Sequence, residues 1–163
     1  MTDLKPIFHG DIVTPSDPSY SSAIARWAVN AVRRAKVVTF PKDHADIALS
    51  IAYARSNNLP IAIRGGGHSP AGASSVEDGL VIDLSRYFNG VKIDPENRLA
   101  YVGGGAIWET LDREAIRHGL ATVAGTVNHV SRSSQPLSDW YLMTCYDRLE
   151  LAGSIFPSAR LNI

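Results

Sequence analysis

The residues with the most chemistry packed into the shortest span are Arg64-Gly65-Gly66-Gly67-His68-Ser69. Three consecutive glycines expose backbone N–H groups with no Cβ in the way, and a concave row of such amides suits a phosphate or pyrophosphate. Arg64 can add a charge-assisted donor. His68 and Ser69 place a nucleophile and a hydroxyl at the end of the run, where a bound cofactor would lie. A flexible surface turn is the competing explanation for any isolated Gly-Gly-Gly. The context argues against it here, because Ile61-Ala62-Ile63 has a strand pattern and leads directly into the glycines.

Spacing separates the kinds of phosphate loop. A Walker loop needs Gly-Lys followed by Ser or Thr, and neither tripeptide occurs in the chain. The dinucleotide fingerprint G-x-G-x-x-G must open a helix, whereas Gly65 to Pro70 ends in proline and runs into Ala71 to Gly79. The second glycine run, Gly103-Gly104-Gly105, fails in the same way, since Trp108 holds the third glycine's place; lining a cofactor pocket stays open to it. Metal binding is not expected. His9, His44, His68, His118 and His129 are scattered without a His-x-x-x-His or Glu-x-x-His spacing, and a single cysteine excludes a multi-cysteine site.

The elements that must position this loop follow from periodicity. Asp17-Pro18 starts a helix in which Tyr20, Ile24, Trp27, Ala28 and Ala31 recur at helical spacing. Lys36 to Phe40 is a short strand stopped by Pro41. Asp43, with Asp46 three residues on, resembles a capping arrangement for a helix running to about Asn57, with Ile47, Ala48, Ile51, Ala52 and Ala54 as its buried stripe and Asn57-Asn58 as its left-handed stop. Ile61 to Ile63 and Leu80 to Leu84 are further strands. Val91 and Ile93, the turn Asp94-Pro95-Glu96-Asn97, then Leu99 and Tyr101 predict an antiparallel hairpin. Ile107 to His118 is a helix with Trp108, Leu111 and Ala115 on one face, a Glu109–Arg113 pair and Gly119 as its stop. The order β-α-β, then strand, hairpin and helix, describes an α+β domain rather than a doubly wound sheet.

At 163 residues and 45% hydrophobic composition the chain is expected to form one ordinary core. Sixteen basic residues balance sixteen acidic ones, so no global field favours nucleic acid or an anionic membrane, and any anion site must be local. The opening Met1-Thr2-Asp3-Leu4-Lys5-Pro6 lacks the features of a secretory signal, which leads us to expect a cytoplasmic product, and no apolar run approaches the roughly 20 residues of a membrane span. Cys145, the only cysteine, is expected to be a small buried hydrophobe. Beyond Ser131 the polar stretch to Pro136 is a linker, and the apolar patch Trp140 to Cys145 has no convincing caps.

Arg64-Gly65-Gly66-Gly67-His68-Ser69-Pro70-Ala71-Gly72 resembles the flavin-attachment loop of the PCMH-type FAD-binding domain found in berberine-bridge-like oxidoreductases. The likeness extends in family order through Trp27 to Asn30, Val37 to Lys42, Leu80 to Leu84, Tyr101 to Gly105 and Ala124-Gly125-Thr126. It implies the first subdomain of that α+β fold, with residues 1–26 as a lead-in, 27–130 as a partial FAD domain and 131–163 as an unmatched, poorly ordered tail after an incomplete second subdomain. It also implies FAD, with the pyrophosphate on the backbone from Arg64 to Ser69, Gly72, Gly125 and Thr126 contributing to the site, and His68 joined to the flavin's 8α-methyl carbon. An oxidised flavin can tautomerise to an electrophilic methide at that carbon by giving up a methyl proton. A neutral imidazole held beside it by a rigid loop would add to it at high effective concentration, losing its own proton and leaving the electron pair on the flavin. A second, cysteinyl link found in some members would fall at Val127, so one histidyl bond at most is expected.

Where the family continues into another glycine-rich stretch and a substrate domain carrying the catalytic base, this chain has Ser131-Arg132-Ser133-Ser134. No catalytic residue is assignable. Asp78, Asp83 and Glu109 are ionisable, but strand ends and helix surfaces explain them better. The function expected is flavin-dependent hydride removal from a small organic substrate, by a truncated chain that is either the enzyme or its inactive fragment, without nucleic-acid or membrane partners. The rival is a flavin- or nucleotide-binding module without turnover.

Overall fold

The computed structural model describes residue 4, residues 7–121 and 127–130, and the backbone of residues 158–162. The linker from Ser131, the patch Trp140 to Cys145, and Gly125-Thr126 lie outside the described residues.

Two sheets organise the chain. The first contains β1 (Asp11–Val13), β2 (Val37–Phe40), β3 (Ile61–Arg64) and β4 (Leu80–Asp83) in the order β1-β2-β4-β3. β4 runs parallel to both β2 and β3, with Leu80 opposite Val37 on one side and Ile61 on the other, and β1 is antiparallel to β2. The second sheet pairs β5 (Val91–Asp94), β6 (Leu99–Gly103) and β7 (Ser158–Asn162) in antiparallel order. The arrangement is the α+β domain expected from the element order.

The two central strands are buried throughout, as strands covered on both faces must be. Val38, Phe40, Ala62 and Val81 pack with Tyr20 and Ala23 of α1 (Tyr20–Ile24), whereas Val37, Leu80, Ile82 and Leu84 pack with Ala54, Ile47 and Ile51 of α2 (His44–Ser56). α2 starts as expected, with the Asp43 carboxylate accepting the Asp46 N–H at 2.8 Å, and the chain leaves it through Asn58 at a φ of 52°. Its buried face differs from the apolar stripe read from the sequence. Asp46, Ser50 and Ala54 are buried, while Ala48 and Ala52 are exposed. The reason is a polar seam between helix and sheet: Ser50 Oγ donates to Thr39 Oγ1 at 3.1 Å, and Thr39 Oγ1 donates to the Val81 carbonyl at 3.3 Å. Buried polar groups in such a seam satisfy one another.

The single helix expected from Asp17 to about Ala31 is a second correction. It stops at Ile24, and a short 3₁₀ turn at Val29–Ala31 follows. Arg26 folds back to donate to the carbonyls of Ala23 and Ala25 at 3.3 and 2.7 Å, taking acceptors that a continuing helix would have used. Two strands lie outside the elements read from the sequence: β1, and β7 in the tail.

α3 (Trp108–Ile116) and the pairing of β5 with β6 match the expected pattern, but the inward face of β6 does not: Ala100 and Val102, opposite Ile93 and Val91, are buried and form a second small core with Ala106, Trp108 and Leu111, whereas Tyr101 is exposed opposite Lys92. The Glu109–Arg113 pair closes at 2.5 Å. Among the described residues no helix is long and apolar enough to cross a membrane.

Candidate cofactor site

A parallel connection between neighbouring strands needs a crossover of a dozen residues or more, usually a helix. Between β3 and β4 that crossover is the loop 65–79, which contains the glycine run. The sheet therefore delivers the loop at the carboxyl end of β3, where open α/β sheets place ligands. Gly67 and Gly72 take left-handed φ values of 73° and 81°, so the run turns as side chains with a Cβ would resist. Ser69 is buried, its Oγ accepting the Ala73 N–H at 3.3 Å and its carbonyl the Gly72 N–H at 3.2 Å.

Among the described residues the N–H groups of Gly65 and Gly66 have no hydrogen-bond acceptor, although Gly65 is buried. Buried backbone donors seldom go unpaired. The hydroxyls of Ser74 and Ser75 in the same loop are also buried without a partner among the described residues. Bare amides at the glycines and orphaned hydroxyls further along are what a loop built around an anionic group would show, so these residues fit the pyrophosphate of FAD.

Two arginines support the loop from beneath. Arg64 donates through Nη1 to the fully buried Asp83 at 2.7 Å and to the Ala23 carbonyl at 3.2 Å, while its buried Nε has no partner among the described residues. Asp83 also accepts both N–H and O–H of Ser85 at 2.9 and 2.6 Å. A strand-end carboxylate thus proves to be the counter-ion of the last residue of β3. Arg26 donates Nε and Nη2 to the Ser74 carbonyl at 3.1 and 2.6 Å, fastening the loop's far end to the segment after α1. Burial and the neighbouring Arg64 lower its pKa to about 10, so it stays charged at neutral pH. Periodicity carries no signal for Arg26, which falls among expected helix residues.

His68 stands half-buried beside Trp27 and His129. Its ring stacks on Trp27 with centroids 5.4 Å apart and meets His129 edge-on at 4.6 Å. Burial first, and then the charge of His129, lower its pKa below the ordinary histidine value. The imidazole is therefore neutral at pH 7, the form able to act as a nucleophile.

The second glycine run does different work. A Cβ on Gly103 or Gly105 would collide with the carbonyls of Phe88 and Leu84, so both glycines allow backbones to pack closely. The amides at the start of α3 are already used: those of Trp108 and Glu109 donate to the carbonyls of Val130 and Asn128 at 3.1 and 2.7 Å. The structure also gathers His9, Asp43 and Asp46, whose ligand atoms lie within 4.8 Å of one another, a grouping no local spacing suggested. Their lone pairs are engaged, with His9 Nδ1 2.9 Å from Asp43 and the Asp46 carboxylate accepting the amides of His9 and Lys42 at 2.9 Å each.

Comparison with known proteins places the chain among FAD-binding domains. A family profile described as an FAD binding domain matches residues 35–131. The (R)-6-hydroxynicotine oxidase of Paenarthrobacter nicotinovorans is 34% identical over 116 residues, which is 71% of this chain and 25% of that protein. An FAD-linked oxidoreductase of Bacillus subtilis is 34% identical over 121 residues, 74% of this chain and 27% of its own length. Among solved structures, 6-hydroxy-D-nicotine oxidase from Arthrobacter nicotinovorans superposes with a TM-score of 0.75 at 33% identity, covering 80% of this chain and 28% of the other. The BBE-like 1 protein of Physcomitrella patens, at 24% identity and a TM-score of 0.69 over 76% of this chain and 27% of its own, shares the fold. The chain thus spans about a quarter of the length of the relatives it matches.

Proposed function

Because the chain belongs to the FAD-binding-domain family, whose relatives are FAD-linked oxidoreductases, we propose that it is the cofactor-anchoring part of a flavin-dependent oxidase or dehydrogenase, with FAD attached to His68. FAD, when bound, supplies the acceptor for a hydride taken from a small organic substrate. The residues of this chain do the holding. The amides of Gly65 and Gly66 and the hydroxyls of Ser74 and Ser75 offer donors to the pyrophosphate, and His68 offers a neutral ring nitrogen for the link. Arg26, Arg64 and Asp83 keep the loop rigid. A base within reach of substrate is not nominated among these residues, and we assign that role to the part of the relatives' length that lies beyond the match.

The observation that carries this reading is a buried glycine amide with no acceptor, on a loop that ends in a neutral imidazole. Binding of a nucleotide without turnover is less well supported, since the named relatives are oxidoreductases. The test is to produce residues 1–163 with FAD, denature in acid and measure flavin fluorescence that stays with the polypeptide. We expect retained fluorescence in the parent chain and none in His68→Ala. Equal retention in both would defeat the assignment.

A further inference from the structure

Among the described residues no hydrogen bond holds the His68 ring. A histidine that must present one nitrogen in a fixed direction is ordinarily oriented by a bond to its other nitrogen. Among the described residues packing orients it, and Trp27 and His129 supply that packing. Trp27 is 65% exposed and belongs to none of the core clusters, so burial does not explain its position. It is nevertheless placed: its backbone N–H donates to the Gly67 carbonyl at 3.3 Å, and its indole lies over the His68 ring at an interplanar angle of 27°. His129 closes on the same ring at 60°.

The position of His129 is itself determined from a distance. The carbonyls immediately before and after it, those of Asn128 and Val130, accept the first amides of α3. Those amides have no partner within their own helix, so they seek acceptors outside it. Side-chain contact with Asn128, at 3.2 Å from Nδ1 to Oδ1, restricts the ring further. The helix of the second core thus sets a ring against the loop of the first sheet.

We propose that Trp27 and His129 are positioning residues for His68, bracketing its imidazole so that the plane of the ring is held for flavin attachment. The inference rests on the assignment of His68 as the linking residue. It adds that the link depends on two groups outside the glycine loop, one of them tethered to α3. Neither group takes part in bond formation, and both act by restricting rotation of the ring.

The experiment uses the full chain and two readouts. In FAD-free protein, the ring signals of His68, identified by their absence in His68→Ala, are followed by NMR in Trp27→Ala, Trp27→Phe, His129→Ala and His129→Phe. The alanine variants should shift these signals towards the values of a free histidine, because a stacked ring no longer shields them, and the phenylalanine variants should restore most of the shift. In FAD-supplemented protein the alanine variants should form the acid-stable link about tenfold more slowly, again with rescue by phenylalanine, since a loosened nucleophile loses part of its effective concentration. Unmoved ring signals in both alanine variants overturn the inference, as does attachment at the parental rate. Should the parent chain form no link, the assignment of His68 falls, and the bracketing is then decided by the ring signals alone.

Discussion

Gly65–Gly67 and Gly103–Gly105 share a composition but are put to opposite uses. In the first run the missing side chains leave a left-handed turn at Gly67 and amides without acceptors. In the second they let the chain press against the carbonyls of Leu84 and Phe88, and the Gly105 N–H donates to Phe88 at 2.9 Å. One run keeps amides without acceptors among the described residues, and the other is filled by the protein's own backbone. Both abut the end of β4, where Asp83 binds Arg64 and Leu84 meets Gly105. A glycine triplet therefore says that something approaches closely, and the neighbouring strand decides what.

The largest effect should come from the residue at that junction. Asp83→Ala leaves the Arg64 guanidinium without its counter-ion and Ser85 without its acceptor, and losing one partner of a buried pair costs about 3–5 kcal/mol. Denaturant unfolding should show that loss.

A paired substitution then sharpens the contrast. Gly105→Ala forces a Cβ into backbone that cannot swing aside, so we expect about 3 kcal/mol of destabilisation, with flavin retention falling only as far as folding does. Gly67→Ala meets the far ends of two arginine side chains, with Arg64 Nε at 3.0 Å and Arg26 Cδ at 3.3 Å, and it strains a positive φ, costing about 1–2 kcal/mol. Its loss of flavin should exceed its loss of stability. If unfolding and flavin titration instead show the two variants losing both properties in the same proportion, the division of labour between the runs is wrong.

The smallest effect is a pH dependence. The His68 imidazole has a lowered pKa in the folded chain, so as pH falls below the ordinary histidine value near 6.5 the unfolded chain takes up the proton first. The small stability due to its neutral form is present above that value and is lost as pH falls through the lowered one. The rate of link formation should accordingly be flat above pH 6.5 and decline only on the acid side. A rate that rises on acidification would show that the neutral ring is not the attacking form.

Much of the frame was legible because its signals are local. β2 and β4 are short runs rich in β-branched and apolar residues, Val91 and Ile93 alternate in the hairpin, α3 carries a period of 3.6, and Asp43 and Asn58 mark the ends of α2 by their own backbone chemistry. The face of α2 differs from its apolar stripe because Ser50 is buried against Thr39, and Asp46 under the amides of His9 and Lys42, contacts that no local period reports. Arg26 carries no signal in the sequence, and only the fold shows it reaching the Ser74 carbonyl.

What the chain alone determined is that a strand runs into three glycines and a histidine, with the fold class and the kind of cofactor those residues serve. Tertiary structure decided the rest: that Arg64 faces Asp83, that Gly105 is spent on packing, and that Trp27 and His129 meet at His68. Periodicity reports on neighbours within a turn or a pleat, whereas these contacts join segments brought together only by the register of parallel strands and the docking of α3.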